Sequence, residues 1–193
     1  MALCILIKFL KKEYNELSNI ETYNLPIERL ERVRDLFVFS CYTGIAYIDV
    51  IKLNKNNIIR GIDGSNWIFT NRQKTNAPVK IPLLSKAQKL IHKYQNHPMT
   101  KITETLFPVI TNEKLNLYLK EIAEACGLKK NLTFHMARHT FATTVTLSNG
   151  VPIETVSKLL GHSKIASTQI YARVVERKIS EDMANLRMKL SDT

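Results

Sequence analysis

The sequence predicts a mainly α-helical fold carrying one small antiparallel β-sheet, an α+β domain. Three observations carry that expectation. Apolar residues recur at helical spacing through most of the 193 residues. One stretch, 58–84, instead alternates short β-rich runs with Gly, Asn and Pro. The length suits one ordinary domain, and no repeat or low-complexity tract divides it.

The elements follow in order. "MALCILIKFL" is apolar but interrupted by Lys8, and it lacks the flanks of a signal peptide. It is too short to span a bilayer, so it is expected to pack on the domain as a strand or helix edge. "NLPIERLERVRDLFVFSCYTG" reads as a helix with Asn24 as cap and Pro26 in the first turn. Leu30, Val33, Phe37 and Cys41 keep helical spacing, and Gly44 follows the end. The Gly- and Pro-split runs from residue 58 predict two or three antiparallel strands. Helices resume at Ser85, residues 97–108 read as a connector, and another helix runs from about Thr111 to Cys126, stopped by Gly127. Thr133 is expected to cap a helix reaching Asn149, with Gly150 as its stop. Shorter helices follow: "VPIETVSKLLG" from Pro152 to Gly161, "SKIASTQIYARV" with Ser163 as cap, and a basic amphipathic "ERKISEDMANLRMKL".

Charge narrows the partners. Lys plus Arg number 28 against 17 Asp plus Glu, a formal charge of +11. That excess favours a polyanion: nucleic acid, an anionic membrane or an acidic protein. The three cysteines, Cys4, Cys41 and Cys126, form no CxxC pair and are odd in number. Free thiols in a reducing, cytoplasmic compartment are expected.

The chemistry is concentrated in two segments. In "TFHMARHTFAT", His135, Arg138 and His139 share one side of a helix. A metal site is disfavoured there, because the segment lacks the Glu of the zinc-protease pattern and sets a fixed cation beside the histidines. Taken alone, the segment also fits solvated or packed histidines on a basic helix. The second segment, "LLGHSKIASTQIYAR", puts His162 just past a helix-stopping glycine and Tyr171 nine residues later. Together they hold what a phosphodiester exchange needs. Arg and His donors hold the non-bridging oxygens, and a hydroxyl is the nucleophile. A phenol, whose ordinary pKa is near 10, leaves more readily than an aliphatic alcohol.

The pattern H-x-x-R-H-T-F-A-T, then L-L-G-H-S, then T-x-x-Y closely resembles the tyrosine recombinases (phage-type integrases), over about residues 24 to 180. The resemblance implies that fold's catalytic domain and a role for each matching residue. Tyr171 would attack a DNA phosphodiester and form a 3′-phosphotyrosyl link. Arg138 and His162 would hold the scissile phosphate, and His135 would assist proton transfer or phosphate binding. Lys74, in the hairpin turn of "TNRQKTNAPVKIPL", would protonate the leaving 5′-oxygen. Arg72, His139, Lys164 and Arg173 would contact DNA. The family uses no metal and no cofactor. The implied partner is double-stranded DNA, with no membrane; the isolated domain would be a monomer and would form a tetramer on synapsed DNA.

Two departures from the family pattern are visible. The first family arginine lies in T-G-x-R, and "CYTGIAYIDV" has Ala46 at that place, with Asp49 matching the acidic residue three later. Arg34 is the expected substitute, with Arg32, Arg60 and Arg72 as alternatives. Residues 1–23 are expected to be a lead-in segment, too short for the family's upstream DNA-clamp domain, and 24–193 the catalytic domain. The basic C-terminal helix would dock on a neighbouring protomer or on its own domain.

Two other functions compete. "IETVSKLLGHSKIASTQIYARV" also reads as a helix-turn-helix of a catalytically weak or inactive DNA-binding regulator, offering Ser163, Ser167, Thr168 and Gln169 to DNA. A type IB topoisomerase would share the chemistry without joining two sites.

Overall fold

A computed structural model describes residues 14–171 and, near the C-terminus, residues 183, 184, 186–188 and 190. Arg173 and most of the expected C-terminal helix lie outside the described residues, as does "MALCILIKFL". The described tail residues are helical, and Met183, Leu186, Met188 and Leu190 expose their apolar side chains.

The domain is built around α2 (Glu28–Thr43), which buries Leu30, Val33, Leu36, Phe37, Phe39 and Cys41. Its first turn carries Glu28 and Glu31, which suit the positive end of a helix. Gly44 closes it at φ +70, and its N–H returns to the Ser40 carbonyl at 2.8 Å. The cap is Ile27, without a side-chain hydrogen bond, rather than Asn24. Leu25 is drawn into the core, so the chain enters the helix only after Pro26. Residues 14–22 form α1, which sends Leu17 and Ile20 into the same core. Arg34 donates to the Tyr23 carbonyl just beyond α1, at 2.9 Å.

After a short α3 (Tyr47–Val50), a 3-10 turn at Lys55–Asn57 leads into three antiparallel strands in the order β1 (Ile58–Arg60), β2 (Asn66–Asn71), β3 (Pro78–Pro82). Ile68 pairs with both Ile58 and Ile81. Ile68, Val79 and Ile81 are buried, so alternate side chains seal one face. Pro78 and Pro82 bracket the edge strand, where a missing N–H is tolerated. At the start of the 72–77 turn between β2 and β3, Arg72 reaches Leu160 in the second half of the domain, while Gln73 bonds Asp49 and Lys52.

Helices α4 (Ser85–Tyr94) and α6 (Asn112–Ala125) pack on α2. Thr111 caps α6 through its side chain, and Gly127 leaves it at φ +67. The 97–108 connector contains a helical turn, α5 (Pro98–Thr103). His97 caps it by accepting from the Met99 N–H at 3.2 Å, and Pro98 takes the first helical position, a start signal present in the sequence.

The expected helix over 133–149 is three conformations in series: α7 (Phe134–Thr140), a π-helical turn (Phe141–Thr146) and a 3-10 turn (Leu147–Asn149). Threonine hydroxyls compete for the helical carbonyls. Thr143 donates to His139 O, and Thr146 to Phe141 O and Ala142 O, which widens the turn. Thr133 precedes α7 without a side-chain cap; instead Asn116 on α6 accepts the Phe134 N–H at 2.9 Å.

A smaller core of Phe141, Ala142, Leu147, Val156, Leu160 and Tyr171 closes over α8 (Ile153–Leu159) and α9 (Ala166–Gln169). Ser163 does not cap α9; Ile165 holds that position. Thr168 is buried while Ser163, Ser167 and Gln169 are exposed, and α9, a single turn, is too short to lie along a groove as a recognition helix. Among the described residues, no helix is long and apolar enough to cross a membrane.

Candidate active site

Three parts of the chain converge at one place: the end of α7, the turn after α8 and the β2–β3 turn. Arg138 leaves α7 and is 6% exposed. Its Nη1 donates to Gly44 O at 2.6 Å and its Nη2 to Leu160 O at 2.5 Å. Arg72 reaches in from the sheet and donates from Nη1 to the same Leu160 carbonyl at 3.0 Å. Two guanidinium groups therefore share one carbonyl oxygen, and Asp49 Oδ2 stands 3.9 Å from Arg72 Nε. That Nε is buried and has no hydrogen-bond partner among the described residues. Burial, and then repulsion by Arg72, push Arg138 down to about 10, against the opposing pull of Tyr171 and Asp49. Arg138 stays charged at neutral pH, so the cluster is an anion-seeking site.

Two glycines permit this approach. A Cβ on Gly161, at φ +62, would lie 2.6 Å from Arg72 Cδ and from Val79 Cγ2. A Cβ on Gly44 would lie 2.5 Å from Phe141 Cδ1, so a side chain there would separate α2 from the π-helical turn after Arg138.

His162 completes the cluster. Its Nε2 lies 3.1 Å from Arg138 Nη2 and its Nδ1 2.8 Å from Thr168 Oγ1. Guanidinium only donates, so Nε2 accepts and Nδ1 carries the proton. Burial first, and then Arg138 and Arg72, push His162 down to about 4 from 6.5. The folded chain thus resists a proton that the unfolded chain binds between pH 6.5 and about 4. Stability from this group is full above 6.5 and is lost as pH falls through that window. The melting temperature of the ligand-free wild type is expected to fall more steeply over that range than that of His162→Gln, measured by thermal denaturation at each pH. Parallel curves would contradict this.

Tyr171 is 5% exposed, and its ring tilts over His139 with centroids 5.2 Å apart. Its backbone N–H is bound to Thr168 O at 3.0 Å. His135 projects from the exposed side of α7, and Lys74 is exposed in the β2–β3 turn. Lys164 is exposed in the turn before α9. A groove of about 720 Å³, lined by Asn54, Lys55, Ile91, Thr100 and Leu106 among others, contains none of these residues.

The family model described as the phage integrase family matches residues 9–178. The chain belongs to the phage integrase family. Tyrosine recombinase XerC of Pediococcus pentosaceus is 37% identical over 100 residues, covering 52% of this chain and 31% of the relative. XerC of Chlamydia pneumoniae is 27% identical over 159 residues, covering 77% and 49%. The chain thus spans half or less of the length of these relatives. The fold is similar to that of XerH recombinase in a post-cleavage complex with its palindromic difH substrate (TM-score 0.68, 19% identity, 90% of this chain and 51% of that one). It is also similar to a lambda integrase dimer bound to a COC′ core site (TM-score 0.60, 16% identity, 83% and 56%).

Within this integrase fold, Arg34 lies apart from the cluster. Its Nε donates to Asp35 Oδ1 at 2.9 Å, and its Nη2 pairs with Glu31 at 3.4 Å. Asp35, 3% exposed, also accepts from Lys93 Nζ at 2.6 Å and Tyr94 Oη at 2.9 Å. Arg34 thus neutralises a buried carboxylate near α1 and α4. Arg72 is the residue beside Arg138 and Asp49. The orphaned acidic residue of "CYTGIAYIDV" was the sequence signal for it. The carbonyls of Gly44 and Leu160 had no signal, because every residue carries one.

Proposed function

We propose that this integrase-family chain is the catalytic domain of a site-specific DNA recombinase or integrase that cleaves and rejoins double-stranded DNA. The observation that carries the reading is the pair of guanidiniums on one carbonyl, with an Nε–H that has no partner among the described residues and a neutral imidazole beside them. Two cations held so close call for an anion of more than one oxygen, and a backbone phosphate supplies it.

The roles follow. The scissile phosphate displaces the Leu160 carbonyl as the acceptor of Arg138 and Arg72. Arg72, not Arg34, supplies the guanidinium absent at Ala46, held by the Asp49 that would otherwise orient the missing arginine. His162 donates to a non-bridging oxygen once the phosphate's charge favours imidazolium. His135, exposed one turn before Arg138 on α7, assists proton transfer. The Tyr171 hydroxyl gives its proton to His135 as its oxygen attacks phosphorus, the bond to O5′ breaks, and Lys74 gives the leaving O5′ its proton. A 3′-phosphotyrosyl link and a free 5′-hydroxyl result. Bond energy is kept in the ester, so neither metal nor nucleotide is needed. For attack, the phenol leaves its packing on His139, which DNA binding must drive. His139 thereby serves as a platform for the nucleophile, and Lys164 and Arg173 as contacts to the duplex. A monomer in isolation, the chain would assemble as a tetramer on synapsed DNA.

The test is a nicked suicide duplex, from which the short 5′-hydroxyl strand diffuses away. A covalent adduct is expected, with the DNA mapped by mass spectrometry to the peptide holding Tyr171. An adduct on another residue, or none when an upstream DNA-clamp domain is fused, would refute the reading.

A further inference from the structure

We propose that Thr168 is a positioning residue that fixes the tautomer of His162 and ties that ring to the backbone carrying the nucleophile. The inference rests on the recombinase reading, but its first readout does not need DNA.

Thr168 sits in α9 with no exposed surface. Its Oγ1 lies 2.8 Å from His162 Nδ1. Its own carbonyl, one turn on, accepts the Tyr171 N–H at 3.0 Å. One residue therefore holds the phosphate-facing imidazole with its side chain and the phenol-bearing backbone with its main chain. On the far side of the ring, the partner of Nε2 among the described residues is an Arg138 donor, at 3.1 Å. A ring between a guanidinium and a hydroxyl has one comfortable neutral form, with the proton on Nδ1 pointing at Thr168 Oγ1. That hydroxyl oxygen remains a good acceptor when His162 becomes imidazolium over a phosphate. Nε2 then turns from acceptor to donor without the ring moving. Without the threonine oxygen, the half-buried Nδ1–H loses its acceptor among the described residues. The alternative tautomer aims Nε2–H at the Arg138 N–H, where two donors oppose.

The experiment compares Thr168→Val and Thr168→Ser with wild type in 15N-labelled chain. The 15N shifts of His162 report which ring nitrogen carries the proton, and the suicide duplex reports cleavage. Wild type and Thr168→Ser are expected to hold the proton on Nδ1. Thr168→Val should shift population to the Nε2–H form. Cleavage by Thr168→Val should fall about ten- to a hundredfold, the scale known for hydrogen-bond partners of metal-ligating histidines, and Thr168→Ser should restore it. DNA affinity should stay unchanged, because Thr168 is buried. A wild-type His162 protonated on Nε2 would overturn the proposal by itself, even if the valine variant failed to fold. So would a folded Thr168→Val with unchanged tautomer and rate. If wild type forms no adduct, the recombinase reading fails, while the tautomer comparison still decides the positioning link.

Discussion

Tyr171→Phe is expected to form no covalent DNA adduct while still folding and binding DNA. The substitution removes one oxygen and leaves the ring that packs over His139 and closes the core of Phe141, Val156 and Leu160. Its stability cost should stay within about 1 kcal/mol, the scale of one hydroxyl's hydrogen bond. The chemical cost is total, because no other atom at that place can form a phosphate ester. Denaturing gels of the suicide-duplex reaction, with gel shifts of intact duplex as the binding control, separate the two effects. An adduct that survives in Tyr171→Phe would mean that another hydroxyl attacks, and the assignment of the nucleophile would fall.

Arg72→Ala should slow covalent trapping by roughly 10²–10³-fold, or about 2.7–4 kcal/mol of transition-state stabilisation, the effect of losing one preorganised donor to a developing anion. Arg34→Ala should leave the trapping rate of the folded protein unchanged. It strips a cation from the buried Asp35, which keeps Lys93 and Tyr94, and should lower stability by about 1–3 kcal/mol. The pair thus separates a chemical role from a structural one on two axes, single-turnover rate and melting temperature. A rescue sharpens the case: adding Ala46→Arg to Arg72→Ala should recover part of the lost rate, since Asp49 is available to orient either guanidinium. Normal trapping by Arg72→Ala, or loss of trapping by folded Arg34→Ala, would reverse the assignment.

The choice between Arg34 and Arg72 illustrates where sequence reasoning ends. Neither stands at the family position, and residue type alone leaves both as candidates. Arg34 adjoins Val33 and Asp35, both buried, and the carboxylate of Asp35 claims its guanidinium. Arg72 sits 88 residues from Leu160 and 66 from Arg138 in the chain; only the fold of the hairpin back over Gly161 brings them together. The helix-turn-helix reading is disfavoured for a related reason. Spacing showed two helices and a glycine, but the second helix is a single turn whose Thr168 is buried, although Ser167 and Gln169 stay exposed. Local patterns did less well where side chains competed with the backbone. The threonines at 143 and 146 converted an expected regular helix into a π-helical turn. The histidine cap and Pro98 made a short helix of an expected connector.

The sequence by itself determined the helical class with its single small sheet, the stops at Gly44, Gly127 and Gly150, and the family, because these follow from short-range periodicity, turn chemistry and an ordered motif. Tertiary structure alone decided which arginine stands beside Arg138, that His162 is held neutral between a guanidinium and Thr168, and that Tyr171 rests on His139. Those are properties of distance and burial between segments far apart in the chain. Coulomb energy and desolvation depend on separation in space, and residue order leaves that separation open until the chain has packed.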